Sequence, residues 1–96
     1  MTSTELYAKA HDLETLANDV EGCVDPAKTV ASSPDWDCDN ATDVRDALKH
    51  WRSAAQNAAR NLRDEAARVR GEARKAENRE DEAREERERE REREAR

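Results

Sequence analysis

The first part of the chain carries a regular apolar pattern. Apolar side chains recur there at alternating spacings of four and three residues, which is the seam of an amphipathic helix that packs against another helix. The members of this seam are Leu6, Ala10, Leu13, Ala17, Val20 and Val24. Thr2 and Glu5 fit a capping box at its start. The pattern predicts a first helix over about residues 3–24.

A segment of turn-forming residues follows the first helix. Asp25 and Pro26 either end that helix or begin a short turn of helix through Val30. The residues after Val30 are rich in Ser, Pro, Asp and Asn, which predicts a turn over about residues 31–39. Asp39 or Asn40 is suited to cap the next helix.

A second, longer helix is predicted from about residue 40. Its apolar side chains again alternate at three and four, and the seam reads Ala41, Val44, Leu48, Trp51, Ala55, Ala58 and Leu62. The pattern then resumes at Ala66 instead of Glu65, and it continues through Val69, Ala73 and Ala76. This four-residue step predicts a stutter that locally unwinds the supercoil.

The two seams predict that the helices pack side by side in opposite directions. Placing Val24 beside Val44 in an antiparallel hairpin brings Leu6 near Leu62. In that register, the part of the second helix beyond about Ala66 has no partner within the chain.

The C-terminal segment is almost entirely charged, with strict Glu/Arg alternation near its end. Opposite charges lie three residues apart and like charges four residues apart, so their attraction and repulsion largely offset each other. This segment is therefore expected to be a solvated helix. The predicted fold is all-α: a coiled-coil-like antiparallel helical hairpin over residues 1–76, with a long charged C-terminal helical extension over residues 77–96.

Composition limits the function that such a chain performs. Of its 96 residues, 44% are charged, 34% are hydrophobic, and half of the hydrophobic residues are alanine. Alanine buries little apolar area, so no deep pocket is expected. The sequence has no nucleophile elbow, phosphate loop or metal-protease helix. The expectation is therefore a protein that is not an enzyme and holds no cofactor.

The predicted turn carries the sequence Trp36-Asp37-Cys38, and the apolar seam of the second helix follows it. This layout resembles the small Trp-X-Gly proteins of type VII (ESX-type) secretion over about residues 5–76. The resemblance implies a helical hairpin with the motif in its turn, a homo- or heterodimeric four-helix bundle, and export in the folded state. Cys38 occupies the glycine position, and Tyr7 is the only tyrosine, so the family's tyrosine-based export signal would come from a partner.

The apolar surface exceeds what one hairpin can bury, which predicts a dimer. The expected partner is a second copy, a similar hairpin, or the N-terminal region of a larger secreted protein. The residues expected to make the assembly are Leu6, Leu13, Val20, Val44, Leu48, Trp51, Leu62 and Val69. Trp36 is expected to cover the end of the hairpin.

A second interpretation is an intracellular coiled-coil adaptor or phage-type accessory protein, with the Glu/Arg segment as a spacer. The chain has no apolar run long enough for a membrane span and no classical signal peptide at its start. It is therefore expected to be cytoplasmic or secreted without a cleaved signal.

Two kinds of site near the turn remain open alternatives. Cys23 and Cys38 lie on its two sides, so they either form one disulfide or remain free thiols. Five aspartates follow a calcium-loop register, although capping and turn formation explain the same residues; they are Asp35, Asp37, Asp39, Asp43 and Asp46. His11 and His50 lie too far from the cysteines for a zinc site.

A basic stripe on the second helix raises the question of nucleic acid. Its members are Arg45, Lys49, Arg52, Arg60, Arg63 and Arg70. The chain as a whole has a net charge of -6 and contains no recognised nucleic-acid-binding motif, so no nucleic-acid partner is expected.

Overall fold

The computed structural model describes residues 1–33 and 40–96, and it confirms the all-α hairpin with its charged helical extension. Helix α1 spans Ser3–Gly22, helix α2 spans Asp25–Ala31, and helix α3 spans Ala41–Ala95. The described residues contain no strand. The molecule is a rod of 87 × 17 × 14 Å, and its length is that of the 55-residue helix α3.

The N-terminus of α1 is capped as predicted. Thr2 adopts an extended backbone, and its hydroxyl oxygen accepts a hydrogen bond from the Glu5 amide at 3.2 Å. The same hydroxyl donates to the Glu5 carboxylate at 3.2 Å. These bonds satisfy one of the amides that a helix leaves without a partner in its first turn.

The break after Gly22 separates α1 from a distinct short helix. Pro26 lies in the first turn of α2, where its missing amide hydrogen costs nothing. The C-terminal end of α2 is held by α3, because Arg45 Nε donates to the Ala31 carbonyl at 2.7 Å. The alternative in which Asp25 and Pro26 begin a new helix is therefore the correct one.

The seam of α1 is the one predicted from the sequence, and Ser3 extends it by one position. Ala10 and Ala17 are fully buried, whereas the larger Leu6, Leu13 and Val20 are half-buried. Alanines at the centre allow α3 to approach closely. The larger side chains then cover the margins of the contact.

The seam of α3 differs from the prediction over its first half. The inward positions alternate at four and three without interruption, so the predicted stutter after Leu62 is wrong. These positions are Ala41, Arg45, Leu48, Arg52, Ala55, Ala59, Leu62, Ala66, Val69, Ala73 and Ala76. Val44, Trp51 and Ala58, which the sequence pattern places on the seam, each lie one residue before it and are exposed. Long arginine side chains take two inward positions because their methylene groups pack while the guanidinium reaches a polar partner.

The predicted register is also wrong. Tyr7 lies opposite Glu77, with its hydroxyl donating to the Glu77 carboxylate at 2.9 Å, and Glu21 pairs with Arg63 at 2.5 Å. The start of α1 therefore lies about four turns further along α3 than Leu62. The cause is α2, which packs on the beginning of α3 and displaces α1 along it. Ala66, Val69, Ala73 and Ala76 are consequently buried against the chain itself.

Beyond Glu80, α3 continues as an isolated helix to Ala95. The side chains of this extension are exposed except for a half-buried Asp81, with which Arg84 forms an ion pair one turn away. The extension is therefore helical, and its remaining surface is turned to solvent.

The phase of the α3 seam is tested by two neighbouring alanines. Ala59 is fully buried and Ala58 is exposed, so Ala59→Leu is expected to lower the free energy of unfolding by about 1–3 kcal/mol through overpacking. Ala58→Leu is expected to change it by less than about 0.5 kcal/mol. Urea unfolding followed by circular dichroism at low protein concentration measures both. Equal effects of the two substitutions would contradict a seam that runs through Ala59.

Candidate interaction surface

One edge of the hairpin carries two ion pairs and one hydrogen bond from a tyrosine to a carboxylate. Its contacts recur every seven residues on both helices: Tyr7 with Glu77, Glu14 with Arg70, and Glu21 with Arg63. We call these three pairs the ionic edge. Residues at seven-residue intervals flank a coiled-coil seam on one side, so the three pairs are matched to the antiparallel direction and the register of the two helices. Asn18 adds a hydrogen bond from Arg63 to its side-chain oxygen at 2.9 Å.

The contacts of the ionic edge shift the pKa values of Glu14 and Tyr7. A hydrogen bond from Arg70 lowers the pKa of the Glu14 carboxyl, and the charge of Arg70 acts in the same direction. The hydrogen bond to Glu77 raises the pKa of the Tyr7 hydroxyl, because the protonated form is the donor. Exposed pairs of this kind contribute little stability each, but they select one register over others.

The open end of the hairpin is closed by Glu80. The Ser3 amide donates to one Glu80 carboxylate oxygen at 3.0 Å, and the Ser3 hydroxyl donates to the other at 2.5 Å. Ser3 is the first residue of α1, so its amide has no partner within that helix. These two donors lower the pKa of the Glu80 carboxyl, with the hydroxyl as the larger cause.

On α3, the side of the seam opposite the ionic edge is apolar over the first part of the helix. Five residues define this outer stripe: Val44, Ala47, Trp51, Ala54 and Ala58. The Trp51 side chain is 58% exposed and Val44 is 39% exposed. Ala54 and Ala58 are also exposed, and Ala47 is half-buried. In a chain with 44% charged residues, this stripe of four exposed apolar positions and one half-buried position is the candidate interaction surface.

An open groove between α2 and α3 widens the outer stripe at its N-terminal end. The groove is lined only by apolar residues: Ala27, Val30, Ala31, Val44 and Leu48. Val30 is 64% exposed, the highest exposure of any large apolar side chain in the helices. Val44 belongs to both features, so groove and stripe form one continuous apolar surface.

The eight residues predicted to make the assembly therefore fall into two groups. Leu48 and Val69 are buried inside the hairpin, and four more are half-buried there: Leu6, Leu13, Val20 and Leu62. Val44 and Trp51 lie on the outer stripe instead. Sequence reasoning missed Ala47 and Ala54 as members of this stripe. They could have been found by continuing the alternating spacing of three and four residues from Ala76 back to Ala41, because the stripe residues directly precede the seam positions that this spacing gives.

The sites predicted around the turn lie mostly outside the described residues. Trp36 and Cys38 belong to the undescribed segment, so the disulfide with the exposed Cys23 stays a prediction. The first three aspartates of the calcium-loop register lie in the same segment, while Asp43 and Asp46 are exposed on α3. Within residues 1–33 and 40–96, no three His, Cys, Asp or Glu side chains are grouped to hold a metal ion.

Comparison of the chain with protein-family models, with curated proteins and with solved structures finds no match. None of the helices in the described part of the chain combines the length and apolar character that crossing a membrane requires.

The Glu80 contact predicts a specific dependence of stability on pH. Because the folded pKa of Glu80 is depressed, its contribution is present above the unfolded value of about 4.3 and is lost as the pH falls through the folded value. Glu80→Gln keeps an acceptor for Ser3 but has no charge to titrate. We expect this variant to lose less stability on acidification than the parent chain. Urea unfolding at a series of pH values measures the difference.

Glu82→Gln in the extension is the matched control, since Glu82 is exposed and lies beyond the hairpin. It should follow the acid dependence of the parent chain. If Glu80→Gln also follows the parent chain, the Ser3–Glu80 contact does not close the hairpin in solution.

Proposed function

We propose that this protein is a small non-enzymatic interaction protein that works as half of a helical bundle. The observation that carries the proposal is the outer stripe, because it gives α3 a second apolar face beside the one that packs in the hairpin. A helix with two adjacent apolar faces is suited to contact two neighbouring helices. One neighbour comes from the chain itself, and a partner supplies the other.

The helical hairpin and its tryptophan-containing connection support a role like that of the Trp-X-Gly proteins in type VII secretion. The chain is a helical hairpin that reverses between Ala31 and Ala41, and this connection contains Trp36. In this proposal, the hairpin assembles with itself or with a second hairpin, and a partner contributes the export signal.

The second candidate is an intracellular coiled-coil adaptor or phage-type accessory protein. One observation favours it: α3 extends past Glu80 as an isolated charged helix for about 22 Å. A helix of this kind holds whatever follows or binds it at a fixed distance from the hairpin. In this candidate, the outer stripe still binds a partner, but the protein remains in the cell.

Export in the native host separates the two candidates. We expect the tagged full chain to accumulate in the culture supernatant of a host with a working type VII secretion ATPase, and to stay in the cells when that ATPase is deleted. A cytoplasmic marker controls for lysis. Retention in a host that exports another Trp-X-Gly protein would contradict the secretion role and favour the adaptor.

The interaction role itself is tested by the size of the protein in its host. We expect the tagged chain, cross-linked in cells, to run as a complex larger than one hairpin. The Trp51→Glu variant should reduce this complex, because a charge on the outer stripe would have to lose its hydration. A chain that runs as a monomer in its host would contradict both candidates.

A further inference from the structure

We infer that the outer stripe binds the outer stripe of a second copy of this chain, with the two α3 helices antiparallel and the two-fold axis at Trp51. This inference rests on the proposed function and identifies its partner and contact surface. Four features of the molecule support it: the angle between the seam and the outer stripe of α3, the symmetry of the stripe, the apolar groove beside it, and its flanking charge.

The angle between the seam and the outer stripe around α3 points to a four-helix arrangement. Each residue of the outer stripe directly precedes a seam residue, as Trp51 precedes Arg52 and Ala58 precedes Ala59. One residue turns an α-helix by about 100°, so the second neighbour of α3 lies nearly at a right angle to the first. In a four-helix bundle, each helix has two neighbours in this relation.

The outer stripe is symmetric about Trp51. Ala47 and Ala54 flank it at nearly equal distances on either side, and Val44 and Ala58 lie seven residues before and after it. In an antiparallel pair centred on Trp51, Ala47 therefore faces Ala54 of the other copy, and Val44 faces Ala58. The small side chains leave room for the two indoles beside the axis. A surface that is complementary to its own copy is what a two-fold contact requires.

The groove beside the stripe supplies further apolar surface for the same contact. Ala27 and Val30 of α2 lie beside Val44, with Val30 largely exposed. A helix packed along the outer stripe would cover this groove at the same time. The contact would therefore involve α2 as well as α3 of each copy.

The flanking charge favours the antiparallel direction. Asp43 is exposed beside the N-terminal end of the stripe, and Asn61 is exposed on the same flank near the C-terminal end. An antiparallel pair places Asp43 near Asn61 of the other copy, whose amide is a hydrogen-bond donor. In a parallel pair, each flank instead faces the opposite flank of the other copy, so Asp43 would lie beside the apolar groove, where no hydrogen-bond donor compensates its charge.

The first test compares two exposed apolar residues by sedimentation equilibrium of the purified full chain, from low micromolar to millimolar concentration. Trp51→Ala is expected to raise the dimer dissociation constant at least about tenfold, as the loss of a central tryptophan does at other interfaces. Leu16→Ala is the matched control, because Leu16 is 48% exposed and lies on α1, outside the stripe. It should change the constant by less than about threefold. Circular dichroism checks that both variants keep their helix content.

The second test determines the direction of pairing. In a background with Cys23→Ser and Cys38→Ser, Ala47→Cys and Ala54→Cys are oxidised separately and as a mixture, with one of the two isotopically labelled. The antiparallel pair predicts mixed disulfide dimers and little disulfide with either variant alone. A parallel pair predicts disulfides with each variant alone.

A third variant gives the direction without changing the cysteines. Asp43→Asn removes a charge from beside the apolar groove of the other copy if the pair is parallel, and the dimer would then tighten. In the antiparallel pair it removes no such charge and only weakens a contact with Asn61, so the dissociation constant should stay the same or rise slightly.

The outcomes separate this inference from the proposed function. A purified chain that stays monomeric, a dimer unaffected by Trp51→Ala, or a parallel dimer would overturn the two-fold contact at Trp51. If the chain still forms a complex in its host and Trp51→Glu reduces it, the proposed function stands with a different partner on the outer stripe.

Discussion

The close approach of two alanine-lined helices is the interaction on which the rest of the structure depends. Ala10 and Ala17 of α1 meet a row of alanines on α3, of which Ala59, Ala66 and Ala73 are fully buried. Alanine contributes little apolar area, but it allows short distances between helix axes and has the highest helix propensity. The short distance is what lets Ser3 reach Glu80 and Tyr7 reach Glu77 across the edge. The edge contacts are thus a consequence of the small core.

The two arginines on the seam are explained by the shortness of α2. A seven-residue helix has unpaired backbone groups over most of its length. Arg45 donates to the carbonyl of its last residue, Ala31, and Arg52 lies 3.9 Å from the carboxylate of its first, Asp25. Arg45 and Arg52 are seven residues apart, and α2 is seven residues long, so α3 supplies a polar partner at each end of α2, to a backbone carbonyl at one end and to a side chain at the other. The inward face of α3 is therefore partly polar here.

The sequence predicts α1 and the all-α hairpin well, because the α1 pattern fits only one phase. The α3 pattern is ambiguous over its first half, where Val44 and Trp51 are more apolar than their neighbours Arg45 and Arg52. A seam through the more apolar residues requires a stutter after Leu62, and that irregularity is the sign of a wrong phase. The register could not be predicted from the seams alone. It depends on α2 packing on the beginning of α3, whereas the sequence offers the short helix after Gly22 only as one of two alternatives and does not show where it packs.

The outer stripe and the extension lie far apart on α3, so the two candidate functions can be compared in one molecule. The extension begins after Glu80, about 44 Å along the helix from Trp51. In an antiparallel dimer centred on Trp51, the two extensions would therefore point away from each other, at opposite ends of a long rod. Both would stay clear of the contact, since no apolar residue of the outer stripe lies beyond Ala58. A dimer of this shape keeps its charged ends free for other partners, so assembly through the stripe and spacing by the extension are compatible in one molecule.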